Sequence, residues 1–530
     1  MLNLISGVKI EQYSAVKRYV LLSLILSFFV PTIVHSQTSS GGTKINLKHA
    51  DQLIGDKTKG YQRLIGAVQF EHQGMNMSCD SAHFFLAENR LDAYGHVFIQ
   101  QGDSLRMWSD FLTYDGNTRI AVASKNVRLV EDDMTLTCDA ITYDLANRFA
   151  YYSTGGRIVN KDNILTSQNG GYSSDSKTLT FKNNVVLKNP QYDMRCDTLR
   201  YTPGPKVAYF LGPTTIKANG NRNFIYCENG FYDTYNDIAQ FEEHAYIVTN
   251  SQTLKGDSLW YDRKNGIGKA FQNIVIDDTA QDVTIRGDYA IHFEKTETSL
   301  ITGHALMIQR FENDSLFLHA DTLKSITIRP KDAKGNPVYA DSLEEKKVFG
   351  YYGVAFYKSD MQGRCDSLVW TSNDSTMRLF GAPVLWSDRN QLTAKNIEII
   401  LTDGKIIRLE MDADCFIISE EDTSRYNQIK GKHMTGYFNN NELRKIFVEG
   451  NGQTLYYANS ENTLLGINRA DCSRLSIWIE ENEVKSISFY NQPDAQLYPP
   501  DELSPSEALL KDFKWRGKER PKAIQDLFSK

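Results

Sequence analysis

The feature that most constrains this chain is a phrase that keeps returning. Residues 135–144 read TLTCDAITYD, and close copies run from Cys79-Asp80-Ser81 to Phe84, from Cys196-Asp197-Thr198 to Tyr201, from Gly256-Asp257-Ser258 to Tyr261-Asp262 and from Cys365-Asp366-Ser367 to Trp370. Taking the acidic or amide residue as a marker gives Asp80, Asp110, Asp139, Asn169, Asp197, Glu228, Asp257, Asp288 and Asp321, at steps of 28 to 33 residues. A looser series follows as Asp366, Asn396, Lys432 and Asp471, at steps of 30, 36 and 39. A unit of about 30 residues cannot bury its own apolar face, so successive copies must stack on one another.

The pattern inside each unit is that of strands. Leu112/Tyr114, Ile141/Tyr143, Leu199/Tyr201, Leu259/Tyr261 and Leu368/Trp370 stand two and four residues after their markers, so each pair shares one face of a strand. A second element recurs as AYGHVFI (93–99), ASKNVRL (123–129), FKNNVVL (181–187), FEEHAYI (241–247) and ITGHALMI (301–308), entered through a short turn. No helix-period segment interrupts. The expected class is all-β, an elongated solenoid-like stack of two-stranded or larger units, with neighbouring markers one strand spacing of ~4.8 Å apart.

The first 36 residues have the layout of a secretory signal peptide: Lys9, Lys17 and Arg18, then an apolar run from Tyr19 to Val30, then cleavage expected after Ser36. That run is shorter than the roughly 20 residues of a membrane-spanning helix. The sequence is therefore divided into a signal peptide (1–36), a linker (37–59), a first repeat array (60–329), an inserted polar loop (330–348), a second, degenerate array (349–490) and a polar tail punctuated by proline (491–530). The formal charge of −6 gives no basic footprint for nucleic acid.

Candidate chemistry is thin. Five of the seven cysteines (Cys79, Cys138, Cys196, Cys227 and Cys365) stand just before a marker, where other units have Ser109, Gly256 or Gly287. They read as copies of one small, semi-buried position holding free thiols. Of all pairs only Cys196 and Cys227, in neighbouring units, come within disulfide reach at one strand spacing. His96, His244 and His304 occupy the place that is Asn126, Asn184 or Asn273 elsewhere, and Asn and His share a tolerance of positive φ. A turn role is expected there, with no metal site. A catalytic carboxylate is needed once, whereas the marker Asp recurs, so it is expected to bond turn amides. No nucleophile elbow, phosphate-binding loop or zincin motif occurs, and neither enzymatic activity nor a cofactor is expected.

The signal peptide, the Cys-Asp-[Ala/Ser/Thr]-x-x-Tyr-Asp strands and the [Gly/Asn]-[His/Asn]-Val elements together resemble the OstA-like family, most clearly over 76–130, 134–187 and 194–248. The resemblance implies a twisted β-jellyroll, open along one side like a taco, in the periplasm and associated with outer-membrane assembly. It implies a non-enzymatic carrier or bridge that shelters lipopolysaccharide acyl chains, with edge strands free to pair with other lipopolysaccharide-transport proteins. The candidate groove residues are Leu112, Tyr114, Ile141, Tyr143, Leu199, Tyr201, Leu259 and Tyr261. Two other readings stand beside it: an envelope scaffold with a closed β core, and a β-helical protein that binds or acts on polysaccharide.

Overall fold

The computed structural model describes residues 44–529 except 57, 103–104, 132, 219–222, 250–251, 331, 333–343, 403–404, 423, 441, 461–462, 481–482 and 501. The proposed signal peptide lies outside the described residues, as does most of the polar insertion. The chain is all-β, with 36 strands among the described residues and only short 3-10 turns besides. It divides into two compact units, an N-terminal one ending at Ala245 and a C-terminal one beginning at Tyr246.

In the N-terminal unit a typical repeat is a pair of strands about eleven residues long, such as Met75–Phe85 with Arg90–Gln101 and Leu105–Asp115 with Ile120–Glu131, while one repeat is broken into the short strands Phe149–Tyr152, Gly156–Asn160, Asn163–Ser167 and Asn169–Ser173. Each strand pairs antiparallel with the next. One repeat thus occupies two strand positions. Consecutive markers lie two spacings apart, ~9.6 Å, double the sequence-based value. Cys196 and Cys227 are accordingly separated by the intervening strand Val207–Ala218, and all seven cysteines are free.

The marker is where the strand bends. Along Met75–Phe85 the buried positions run Met75, Met77, Cys79, then Ala82 and Phe84. The alternation slips by one at Asp80-Ser81. Along Leu105–Asp115 it slips likewise between Ser109 and Leu112. Opposite each slip the neighbouring strand has a β-bulge of two residues with positive φ, Gly95 (72°) and His96 (43°) or Lys125 (62°) and Asn126 (53°). The [Gly/Asn]-[His/Asn] pair is therefore a bulge in mid-strand, where a hairpin turn was expected. Its positive φ is as expected.

The marker carboxylate bonds the bulge side chain sixteen residues on. His96 Nδ1 donates to Asp80 at 2.7 Å, Asn126 Nδ2 to Asp110 at 2.6 Å, His244 Nδ1 to Glu228 at 3.2 Å, Asn273 Nδ2 to Asp257 at 2.9 Å and His304 Nδ1 to Asp288 at 2.7 Å. Turn amides are bonded by the other acid of the phrase, the one after tyrosine. Asp115 accepts from Asn117 N at 2.8 Å, Asp144 from Asn147 N at 2.9 Å and Asp233 from Asn236 N at 2.9 Å. Each of these hairpins closes on a residue in the left-handed region, Arg119 (62°), Arg148 (52°) or Asp237 (60°).

The residue before the marker points inward at the bend and must be small. Cys79, Ser109, Cys196 and Cys227 are 0–6% exposed, and in the C-terminal unit a Cβ on Gly287 would meet Ile301 Cγ2 at 2.5 Å. Burial pushes the Cys79, Cys196 and Cys227 thiols up to about 12. Such thiols are unreactive.

The C-terminal unit continues the scheme with longer strands, reaching Glu442–Ser460 and Thr463–Glu480. Three segment boundaries move. Strands Asn46–His49 and Gln52–Asp56 fall in the expected linker, Glu345–Tyr357 begins inside the expected insertion, and Asp494–Tyr498 pairs with Thr463–Glu480 inside the expected tail. The last bend is at Ser473, between the paired Cys472 and Arg474, two residues beyond the marker Asp471.

Candidate functional site

Bending each strand at its marker divides the N-terminal unit into two limbs. One limb holds the segments before the marker, the other those after it. Three residues before four of the markers stands an apolar, buried side chain: Met77, Met107, Leu136 and Met194 are 4–7% exposed. On the other limb the registered partners form one row, Tyr114–Ala121–Tyr143–Ala150–Tyr172–Leu179–Tyr201–Ala208–Tyr232. Tyrosine alternates with alanine along the row except at Leu179.

That alternation opens a cavity. In the first rungs the space between limbs is filled: Leu64, Leu91 and Leu112 are fully buried, Phe70 meets Phe84 edge-on at 5.6 Å, and Tyr114 Oη bonds His72 at 2.5 Å. Burial pushes the Tyr114 phenol up to about 12. Beyond these rungs the second limb offers Ala121, Ala123, Ala150, Gly170 and Gly171, and a cavity of about 470 Å³ appears. Met75, Ile99, Met107, Leu129, Leu136 and Ile158 line it from the first limb, and Ile141, Tyr143, Tyr172 and Leu179 from the second. The volume lies within the range of small-molecule sites. The cavity reaches solvent along a polar lip that includes the exposed Gln73, Arg148 and Lys177.

The eight sequence candidates thus separate. Ile141 and Tyr143 line the cavity. Leu112 and Tyr114, at 0% and 1% exposure, belong to the filled rungs. Leu199 is buried and Tyr201 half-buried, farther along the same row. Leu259 and Tyr261 lie in the C-terminal unit, where Tyr261 Oη donates to Glu294 at 2.7 Å. The whole first-limb lining was missed, because only residues after the marker were weighed. The apolar residue three before the marker, as at Met107 and Leu136, was its signal.

The C-terminal unit has its own cavity, of about 580 Å³, lined by Leu385, Leu392, Ile417 and Ile429 on one limb and by Leu409, Leu443, Ile446, Ile477 and Ile487 on the other. Its lip carries Asp360, Asp388 and Glu442, with Arg520 from the C-terminal tail. Among the described residues no group of three or more His, Cys, Asp and Glu side chains is placed to hold a metal ion.

An antiparallel stack of hairpin rungs, hinged at a recurring bend around an apolar groove, defines a class of β protein. Residues 42–197, which build the N-terminal cavity, match the family model described as OstA-like protein, so that segment is OstA-like. A comparison with curated proteins gives no match.

Proposed function

We propose that the chain is a non-enzymatic carrier that shelters the acyl chains of lipopolysaccharide in the N-terminal groove, in the periplasm, during transport to the outer membrane. The observation that carries this reading is the groove itself: an apolar space made by Ala and Gly facing Met, Leu and Ile, ending at a lip with Arg148 and Lys177. Each methylene entering it gains about 0.8 kcal/mol without a specific polar contact. The two lip cations suit a phosphorylated headgroup. A closed scaffold core would have no use for the small residues that leave this space empty, and the marker carboxylates, held by bulge side chains, have a structural occupation that argues against polysaccharide chemistry. Strands Asn46–His49 and Gln52–Asp56, each paired on one side among the described residues, offer an edge by which a partner's strand would extend the stack.

In-cell photo-crosslinking tests the reading. A photoreactive residue at Ile141, Met107 or Leu136 is expected to capture lipopolysaccharide, and one at the outward-facing Val122 or Arg128 is not. Equal capture from both faces would count against a groove. No capture from any position, with a normal outer membrane after depletion, would leave the scaffold reading standing.

A further inference from the structure

Among its described residues the C-terminal tail beyond Tyr498 forms no strand, yet it is held along the outer face of the C-terminal unit. One cross-strand row organises the contact: Gln362, Trp386, Gln391, Ile418, Gln428 and Leu455 are successive registered partners. A glutamine stands on every second strand. Gln428, 1% exposed, donates to Ala508 O at 3.0 Å and accepts from Leu510 N at 2.8 Å. Gln391, 0% exposed, does the same six residues on, donating to Lys514 O at 2.8 Å and accepting from Arg516 N at 2.5 Å. Gln362 accepts from Arg520 Nε at 2.7 Å, and beside it Arg364 donates to the carbonyls of Glu519 at 2.9 Å, Asp526 at 2.6 Å and Ser529 at 2.9 Å.

Paired amide bonds to residues i and i+2 read a peptide backbone and ignore its side chains. Sequence selectivity comes from a few apolar anchors. Leu510 is buried among Phe416, Ile418, Leu455, Tyr457 and Ile467, with Phe513 and Trp515 packed beside it, and Leu527 is buried against Leu306 and Ala355. A sheet face with solvent as its only partner has no reason to bury two glutamines completely or to carry that apolar cluster. Both make sense when the face is built for a peptide.

We propose that this glutamine row is a peptide-binding track and that residues 502–529 are its ligand, a strap that binds as a separable, tethered peptide. The chemical class it accepts is a turn-forming peptide of this spacing, read through its backbone at two i, i+2 pairs and anchored by an aliphatic residue at the first pair and aromatics between and within the second. The inference is independent of what the grooves carry.

The test uses the full chain with a protease site inserted between Pro499 and Pro500, both exposed, and cut after folding. The cut strap is expected to co-elute with the body, and a labelled synthetic peptide of residues 500–530 to replace it, followed by fluorescence anisotropy. A peptide with Leu510→Asp and Trp515→Ala should bind at least a hundredfold more weakly, and this arm leaves the protein untouched. On the protein side, Gln391→Leu with Gln428→Leu should lower uptake at least tenfold while the β-sheet circular dichroism stays the same. Loss of the strap on cutting, equal uptake of native and variant peptides, or a strap that never exchanges with excess peptide would each overturn the proposal, the last by making the strap an inseparable part of the fold.

Discussion

The two units use one bend to make two different interiors. In the N-terminal unit methionine and leucine face alanine and glycine, and the lip sets Arg148 and Lys177 against Glu131. In the C-terminal unit both limbs are lined by leucine and isoleucine, the lip sets Asp360, Asp388 and Glu442 against Arg520, and a strap covers the outer face of one limb. The recurring phrase determines where strands bend and says nothing about what they enclose. Contents are chosen three residues before the marker and two and four after it. The difference teaches that a shared scaffold leaves the ligand to these interior positions, and on the proposed reading an anionic amphiphile belongs to the N-terminal groove alone.

Filling each groove in turn is the strongest way to break that assignment. Ala121→Phe with Ala150→Phe should displace about four methylenes of a bound acyl chain, roughly 3 kcal/mol, or a hundredfold loss of affinity for a fluorescent acyl probe. Leu392→Phe with Ile429→Phe in the C-terminal groove should leave the same titration unchanged. Equal losses would mean that the probe does not distinguish the units.

The strap separates the units by stability. Leu510, 3% exposed, is its central anchor, and Leu510→Ala should cost about 2–5 kcal/mol, the range for buried leucine truncations. Hydrogen exchange is expected to speed up over the strands Lys405–Glu420 and Tyr426–Asn439 and to stay as it was over Met75–Phe85. Faster exchange in both places would contradict the division of labour drawn here.

Much of the fold was legible in the sequence, and the reason is physical. A stacked repeat displays its inward positions at constant offsets, so the row through Tyr114, Tyr143 and Tyr201 is readable from spacing alone. The small site before the marker and the positive φ of His96, His244 and His304 were readable for the same reason. Strand count per repeat was not: a bulge and a hairpin turn both call for Gly, Asn or His, and only pairing tells them apart. The true hairpin has its own pattern, Asp followed three residues later by Asn and then a left-handed residue, as in 144–148 and 233–237. The void could not be seen either. Ala121, Ala150 and Gly170 are unremarkable one at a time and make a cavity only because registered partners place them together. The glutamine track joins residues more than 80 apart, as from Gln428 to Leu510, and leaves no periodic trace.

Acid should act on the C-terminal unit through His292. This ring is 2% exposed, its Nδ1 lies 2.9 Å from Ser299 Oγ, and burial lowers its pKa from 6.5 to about 4. Between these values the unfolded chain binds the proton and the folded one does not, so stability rises with pH across that window. Full stability is present above pH 6.5, and about 3 kcal/mol is lost by pH 4. Urea titrations of the native chain and of His292→Leu, at pH 7 and pH 4.5, should show the gap between the two pH values shrink in the variant. An unchanged gap would assign the acid sensitivity to other groups.

The smallest effect concerns the lips. Arg148 is paired with Asp175 at 3.2 Å, but both side chains are more than 60% exposed, so the pair contributes little and leaves the guanidinium available to a ligand. Arg148→Glu with Lys177→Glu reverses two charges near the mouth of the N-terminal groove. Through water at the distances of a lip, that reversal amounts to roughly 1.4 kcal/mol against an anionic headgroup, or about tenfold in affinity at low salt. Screening should shrink it severalfold near 1 M salt, where the Debye length falls to about 3 Å. An uncharged amphiphile with the same tail isolates the apolar part and should bind the variant and the native chain alike. If the uncharged probe lost as much as the anionic one, the cations would be acting on the groove's shape, and the electrostatic half of the comparison between the two lips would fall while the apolar half stood.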